Sequence, residues 1–232
     1  MADKKSAILT RNNTIKKMNK LSFLILIFFL ISNYTYSQKQ GKIFYKKINV
    51  DGKIDTSILI YDEDESFFYT ILDKAITKPF RDEYGTLVQP SNTIDSIANK
   101  RLFNYYDRKK NKFYLNNINK NQEILMSITH NNDEWMLTDE TKQIEDFKCF
   151  KAYKIINGKK YFAWFTEQLP LPYGPIAING LKGIILELYN EDRTVFFEFE
   201  KFENTSELIQ SYISEYDFSN AITYQEYLEL KK

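Results

Sequence analysis

Short apolar runs separated by polar turns recur along the chain from residue 43 onward. They are rich in aromatic and β-branched residues, which favour strands, and most are too short for helices. The pattern predicts ten strands, at residues 43–45, 57–61, 66–72, 112–115, 123–129, 134–137, 150–156, 160–166, 183–189 and 193–202.

Several of these strands are joined by tight turns. Asn157-Gly158 is typical of a two-residue hairpin, and segments 49–52 and 190–192 carry the Asn, Asp and Gly residues of turns. Strands joined so closely cannot be parallel, because a parallel crossover needs about a dozen residues or more. We therefore expect a mainly β single domain with an antiparallel sheet and a few short helices. By analogy of architecture with lipoprotein carriers, we expect the sheet to be curved and half-barrel-like.

Two segments depart from the strand pattern. Residues 73–100 have few apolar positions and contain two prolines and a glycine, which indicates a long irregular excursion with a short helix over 94–102. Near the end of the chain, Thr223 and Glu226 have the spacing of a capping box. This spacing predicts a short helix over 224–230.

Two of the predicted strands differ in the faces that they present. Along 193–202, Val195 and Phe197 belong to an apolar set that alternates with a mixed set. Along 160–166, both alternating sets are apolar, and one of them contains Phe162 and Trp164. This second pattern predicts a strand covered on both sides, by the core and by another element.

The first 37 residues have the organisation of a secretory signal peptide. Basic residues precede an apolar run at 21–31, and a polar stretch ending in the small residue Ser37 follows it. The run is shorter than the roughly 20 residues that span a bilayer, and no Cys follows it to carry a lipid. We predict cleavage near Ser37 and a mature domain at 38–232, periplasmic or extracellular, whose only membrane contact is the export signal. An uncleaved anchor is the alternative, and Met18 is a second candidate initiator.

The charge of the chain changes once this segment is set aside. The whole sequence has 32 basic and 31 acidic residues. Residues 1–37 hold six of the basic and one of the acidic residues, which leaves 26 and 30 and a net charge of about −4. Only five of the basic residues are Arg, and no dense basic stripe interleaves with aromatic residues along the chain. Nucleic acid is therefore not an expected partner.

A single histidine and a single cysteine limit the possible chemistry. His130 has no second imidazole to complete a metal site, and Cys149 has no partner for an intrachain disulfide. We interpret Cys149 as a small buried side chain and His130 as a solvated turn residue, and we expect no metal or cofactor. Glu187, Glu198 and Glu200 can meet across neighbouring strands as catalytic carboxylates, but a solvated sheet face is the favoured interpretation.

The segment 170–183, called here the Gly/Pro loop, is unlike the rest of the chain. It holds three of the five prolines and three of the seven glycines, and Lys182 is its only charge. Because Pro restricts φ and Gly permits positive φ, we expect a fixed apolar loop. In the favoured interpretation it closes one end of the curved sheet, and in the alternative it lines or gates an apolar groove. The candidate ligand-binding residues of that groove are Trp164, Leu171, Tyr173, Ile176, Ile178 and Leu181.

Short motifs occur in order around this loop, from the run 147–152 to Gly180-Leu181-Lys182-Gly183-Ile184-Ile185. Together they resemble the GLPGLI family of bacterial envelope proteins, whose naming motif falls on 180–185 with Lys182 in place of Pro and Ile184 in place of Leu. The matching positions are Cys149, Lys151, Ala152, Pro170, Gly174, Pro175, Gly180, Leu181 and Gly183. The resemblance implies secretion, a mostly β domain, an uncharacterised role and an outer-membrane receptor as a possible partner. It supplies no catalytic residues.

Three functional hypotheses follow from the sequence. The favoured one is a non-enzymatic secreted or periplasmic protein that binds an apolar or peptide ligand or docks to an outer-membrane partner. The second is a hydrolase that uses two of Glu187, Glu198 and Glu200 at a separation of about 5–10 Å in a cleft. The third is a structural subunit of an envelope complex.

Overall fold

The computed structural model describes residues 39–71, 102–119, 122–129 and 134–230, and the backbone of 80–81 and 87–88. These residues belong to the second of the two units into which the chain divides, Gln38–Lys232. The predicted signal peptide, most of the helix predicted at 94–102 and His130 lie outside the described residues. Within the described part, no helix is both long and apolar enough to cross a membrane.

The architecture is one open twelve-stranded sheet with a few short helices. The strands are β1 (Gly41–Ile48), β2 (Ile54–Tyr61), β3 (Glu65–Ile71), β4 (Phe80–Arg81), β5 (Leu87–Val88), β6 (Phe103–Asp107), β7 (Lys112–Asn119), β8 (Gln122–Thr129), β9 (Met136–Ile144), β10 (Phe147–Ile156), β11 (Lys159–Thr166), β12 (Ile184–Asn190), β13 (Phe196–Glu203) and β14 (Ile222–Thr223). The helices are α1 (Gln210–Ile213), a 3₁₀ turn (Phe218–Asn220) and α2 (Tyr224–Leu230).

The large sheet consists of two antiparallel meanders joined side by side. Its strand order is β14-β8-β7-β6-β3-β2-β1-β13-β12-β11-β10-β9, and β4 pairs with β5 in a separate two-stranded sheet. The meanders meet where β1 pairs with β13. Every pairing in the large sheet is antiparallel except that of β14 with β8, which is parallel.

The chain connection between the two meanders requires the sheet to curve. Thr129 ends β8 near one edge and Met136 begins β9 at the other, ten strand spacings away. Ten spacings in a flat sheet are about 48 Å, whereas seven residues of fully extended chain reach about 25 Å. The sheet must therefore curl until its edges approach each other, and register shifts in the β1–β13, β9–β10 and β11–β12 pairings provide local bends.

The first meander has an apolar core on each of its faces. In β2, Leu59 and Tyr61 point to one core, whereas Ile58 and Ile60 point to the other. The first face, as we call the side of Leu59, also packs the Gly/Pro loop. The second face carries α1, whose Ile213 packs on Ile60 and its neighbours. Alternation along single strands therefore supplies both cores.

The predicted elements agree with the structure in most places. Each of the ten predicted runs overlaps a strand, and the capping box is present, with the Glu226 amide donating to the Thr223 hydroxyl and the Thr223 amide to the Glu226 carboxylate. The sequence pattern missed β4, β5, β6 and β14. It also ended β9 at residue 137, whereas the strand continues to Ile144. The expected antiparallel sheet is present, and its one parallel pairing is that of the two-residue β14, which follows the long return through α1, with β8.

Candidate functional site

The Gly/Pro loop is bound to the sheet by backbone hydrogen bonds. The Ile184 amide donates to the Leu169 carbonyl at 3.0 Å, and the Ile185 amide donates to the Tyr173 carbonyl at 2.9 Å. The side-chain oxygen of Asn179 accepts from the Gly174 amide at 3.1 Å within the loop. These bonds fix both ends and the middle of the loop against the start of β12.

Two buried tyrosines connect the loop region to the first meander. Tyr173 is fully buried, and its hydroxyl donates to the Glu63 carbonyl at 3.3 Å. The Tyr45 hydroxyl, from β1, donates to the Ile185 carbonyl at 2.7 Å. Burial raises the pKa of both phenols above the ordinary value, so both remain donors at neutral pH.

The glycines of the loop serve different needs. Gly180 has φ of +106°, as expected for a position that other residues avoid. A Cβ on Gly183 would lie 1.9 Å from the Thr166 carbonyl oxygen, and one on Gly174 would lie 2.6 Å from the Ile178 carbonyl oxygen, so these two are required by close backbone approach. Ile176, a β-branched residue, has φ of +51°, which is a strained conformation.

The structure places five of the six candidate ligand-binding residues in the core of the first face. Leu171, Tyr173, Ile178 and Leu181 are buried there, and Ile176 is partly buried against the same core. Trp164 is also buried, but its ring lies on the side of Phe162, 4.5 Å from Lys142 and 5.5 Å from Lys151. Side chains of the loop therefore occupy the apolar surface that the groove interpretation would offer to a ligand. This burial supports the interpretation in which the loop closes the sheet.

Cys149 lies in β10 with its side chain fully buried. The thiol donates to the Phe147 carbonyl at 3.5 Å. Burial raises the pKa of the Cys149 thiol to about 11, although nearby Lys142 acts in the opposite direction. The group is a protonated thiol at neutral pH, which agrees with the structural role expected from sequence.

The three glutamates considered for hydrolysis occupy different surroundings. Glu187 is partly buried in β12 and forms an ion pair with Lys142 of β9, whereas Glu198 and Glu200 are exposed on β13. The hydrolase hypothesis needs two of them in a cleft. Within the residues that the structure describes, no group of three or more His, Cys, Asp or Glu side chains is placed to hold a metal ion.

A row of four aromatic rings crosses the second meander on its second face. We call it the aromatic ladder. Its members are Tyr153 of β10, Phe162 of β11, Tyr189 of β12 and Phe196 of β13, and each is the cross-strand partner of the next. The successive ring centres are 6.2, 5.3 and 6.0 Å apart, and all four rings are partly exposed.

Cationic side chains lie over both sides of the ladder. On one side, Lys160 is 4.1 Å from the ring centre of Tyr153, and the Arg193 guanidinium is 4.7 Å from that of Tyr189. On the other side, Lys151 is 5.4 Å from the ring centre of Phe162. These distances fit cation–π contacts. The outward side of β11, expected to lie under another element, is thus covered by basic side chains at Phe162.

The sequence contained the members of the ladder but not their alignment. Each of the four strands contributes one ring to the ladder, and the alternation of side chains along a strand determines which face that ring occupies. Which ring lies beside which depends on strand register. That register depends on two tight turns, on the long loop between β11 and β12 and on the register shift in the β11–β12 pairing. The ladder is therefore the candidate site that sequence reasoning missed.

Comparison with known families shows to which family the chain belongs. Residues 69–226, more than half of the chain, match the family model described as N-glycanase peptide, N-terminal domain (PNGase F-II). The chain belongs to this family. The family that this comparison gives is different from the GLPGLI family that the sequence motifs suggested. The GLPGLI resemblance stays a prediction. A comparison with curated proteins gives no match.

Two solved structures share the fold of this N-glycanase N-terminal family member. They are PNGF-II in the P21 and C2 space groups, with TM-scores of 0.59 and 0.57 and identities of 18% and 19%. The matches cover 83% and 82% of this chain, but 33% and 32% of PNGF-II. The chain thus spans about a third of the length of those proteins, and at such identity the likeness shows the fold alone.

Proposed function

We propose that the chain is an exported, non-enzymatic binding domain of the bacterial envelope that recognises glycan-bearing targets through the outward side of its sheet. The observation that carries the proposal is the aromatic ladder, a partly exposed row of rings fixed by strand register. The first face is packed with the domain's own loop, which favours binding on the surface over binding in the interior.

The family match supplies the class of target. The family is named for an N-glycanase, and this chain corresponds to its N-terminal domain. Aromatic rings bind sugars through their apolar surface, and Tyr adds a hydroxyl that donates or accepts hydrogen bonds. The GLPGLI resemblance, with its envelope location and possible outer-membrane partner, is compatible with this role. The predicted export signal supports a location at which glycans are displayed.

The test uses protein recovered from the envelope or the medium of an expressing cell. We expect its first residue to be Gln38, and a start before Lys20 contradicts the export step. This protein is titrated with an N-glycosylated peptide and with the same peptide without its glycan. We expect binding of the glycosylated form only, without loss of glycan mass.

A pair of variants links that binding to the ladder. Phe162→Ala removes a central ring, whereas Tyr224→Ala removes a partly exposed ring on α2, away from the ladder. We expect the first change to weaken glycan binding about tenfold, because it removes an apolar contact that is worth about 1.5–3 kcal/mol when fully buried, and the second to leave it unchanged. Equal affinity of the peptide with and without glycan would rule out the proposal.

A further inference from the structure

The geometry points to an acidic glycan as the ligand, with Lys160 and Arg193 binding the carboxylate of an acidic sugar such as sialic acid. This inference rests on the proposed function and specifies the ligand of the same surface. It follows from the pairing of the cations around the ladder, from the orientation of the rings and from the turn that presents Arg193.

The cations on the two sides of the ladder differ in their partners. Lys151 pairs with Glu140 at 2.8 Å, and Lys142 pairs with Glu187. In contrast, Lys160 has no ion-pair partner among the described residues. Its neighbour Lys159 is 3.6 Å from Asp192.

Arg193 is likewise without a carboxylate partner in the described part of the chain, although Glu191 and Asp192 precede it in the same turn. Asp192 is engaged by Lys159, and it also accepts from the Thr194 hydroxyl at 2.8 Å. Arg193 has φ of +52°, a conformation that Gly or Asn adopts at lower cost. The turn therefore holds the Arg193 guanidinium over Tyr189 and Phe196 at some cost in backbone strain. A guanidinium can bind a carboxylate with two parallel hydrogen bonds.

The orientation of the rings also favours a negative ligand. Side chains stand roughly perpendicular to a sheet, and Phe162 and Tyr189 are stacked across neighbouring strands with 22° between their planes. Their faces are therefore turned toward each other, and their edges toward solvent. Ring edges carry the positive end of the aromatic quadrupole. Positive edges beside two uncompensated cations form a surface complementary to a carboxylate.

Single-stranded nucleic acid is the competing occupant, because it also combines negative charge with planar groups. Its binding depends on ring faces that are free to stack on bases. In the ladder these faces are turned toward neighbouring rings or covered by Lys160, Lys151 and Arg193. Two uncompensated cations are also few for a polyphosphate chain. The surface therefore suits a sugar with one carboxylate better than a nucleic acid.

The experiment compares one N-glycopeptide with and without its terminal sialic acids, by calorimetry with the mature protein. We expect the sialylated form to bind about tenfold more tightly or better, as a charge-assisted hydrogen bond implies. Lys160→Gln and Arg193→Asn should each remove most of that advantage. Asn is chosen because it tolerates positive φ. Lys159→Gln, the adjacent lysine already engaged by Asp192, is the matched control and should bind like wild type.

Each outcome separates this inference from the proposed function. Equal affinity for both glycopeptides overturns the acidic ligand and leaves glycan binding in place. Binding of neither overturns both. Tighter binding of an oligothymidylate than of the sialylated glycopeptide also overturns the acidic-glycan assignment. Loss of affinity in Lys159→Gln equal to that in Lys160→Gln would show a general charge effect and overturn the assigned carboxylate site.

Discussion

Gly183→Ala is the substitution for which the structure gives the clearest expectation. The added Cβ would lie 1.9 Å from the Thr166 carbonyl oxygen, 2.6 Å from the carbonyl carbon and 3.0 Å from the Glu167 amide nitrogen. All three atoms belong to the backbone at the end of β11. No rotamer change can relieve the contact, so the strand end or the loop must move by more than an ångström.

The expected loss of stability depends on which atoms the added Cβ would meet. Overpacking a core costs about 1–3 kcal/mol when side chains can adjust. Here the backbone has to shift, and hydrogen bonds such as that from the Ile184 amide to Leu169 are strained with it, so we expect a loss of about 3 kcal/mol or more. For a domain of this size, a loss of that amount lowers the melting temperature by roughly 6–12 °C.

The matched control is Gly52→Ala in the turn between β1 and β2. Gly52 has φ of +80°, but a Cβ there meets nothing within 4 Å. Its cost is conformational only, about 1–2 kcal/mol. Thermal melts followed by circular dichroism, with urea titrations at 25 °C, compare the two variants. If Gly183→Ala melts no lower than Gly52→Ala, the close approach of the loop to β11 does not exist in solution and the reasoning fails.

Three further expectations concern buried groups. Tyr45→Phe removes the hydroxyl that bonds to the Ile185 carbonyl and should lower the free energy of unfolding by about 1 kcal/mol. Tyr61→Phe removes a buried hydroxyl that has no hydrogen-bond partner among the described residues, so this change should leave the free energy of unfolding unchanged or raise it. A urea midpoint for Tyr61→Phe below that of Tyr45→Phe would contradict this expectation. Cys149 should resist iodoacetamide at pH 8 in the folded protein and react in urea, as measured by mass spectrometry. Rapid alkylation of the native protein at pH 8 would refute the burial. The pKa of the thiol in the folded protein, about 11, lies above the ordinary value of 9.0. The contribution of Cys149 to stability is therefore intact below pH 9 and is lost as pH rises toward 11.

Local patterns in the sequence predicted most of the strands that have an apolar face. They failed where a strand is polar for another reason, as in most of β9. Most of β9 is polar, with Asp139, Glu140 and Lys142 in the part that was missed. It is the edge strand of the sheet, where charged side chains discourage pairing with other chains. β6 carried a readable signal in Phe103 and Tyr105, but it follows directly on the irregular excursion.

The candidate site was predictable in its parts and not in its assembly. The Gly/Pro loop was expected to be fixed and apolar, and its burial agrees with that expectation. The roles of its glycines were expected to be conformational, but Gly183 is needed for space, and the strained positive φ falls on Ile176. Both facts depend on which backbone lies opposite, which a single sequence does not specify. The ladder depends in the same way on register across four strands.

The seam between the two meanders has a consequence for the order of folding. Apart from β14, no more than about 30 residues separate paired strands along the chain within each meander, but Lys42 of β1 pairs with Glu203 of β13, 161 residues later. Contacts of such sequence separation form slowly, since a long loop must close before they contribute. The centre of this sheet is therefore the last part to assemble. A chain in which β1 has not yet paired with β13 holds two unjoined halves with unpaired strand edges. The nascent domain therefore depends on protection from aggregation until β13 is available.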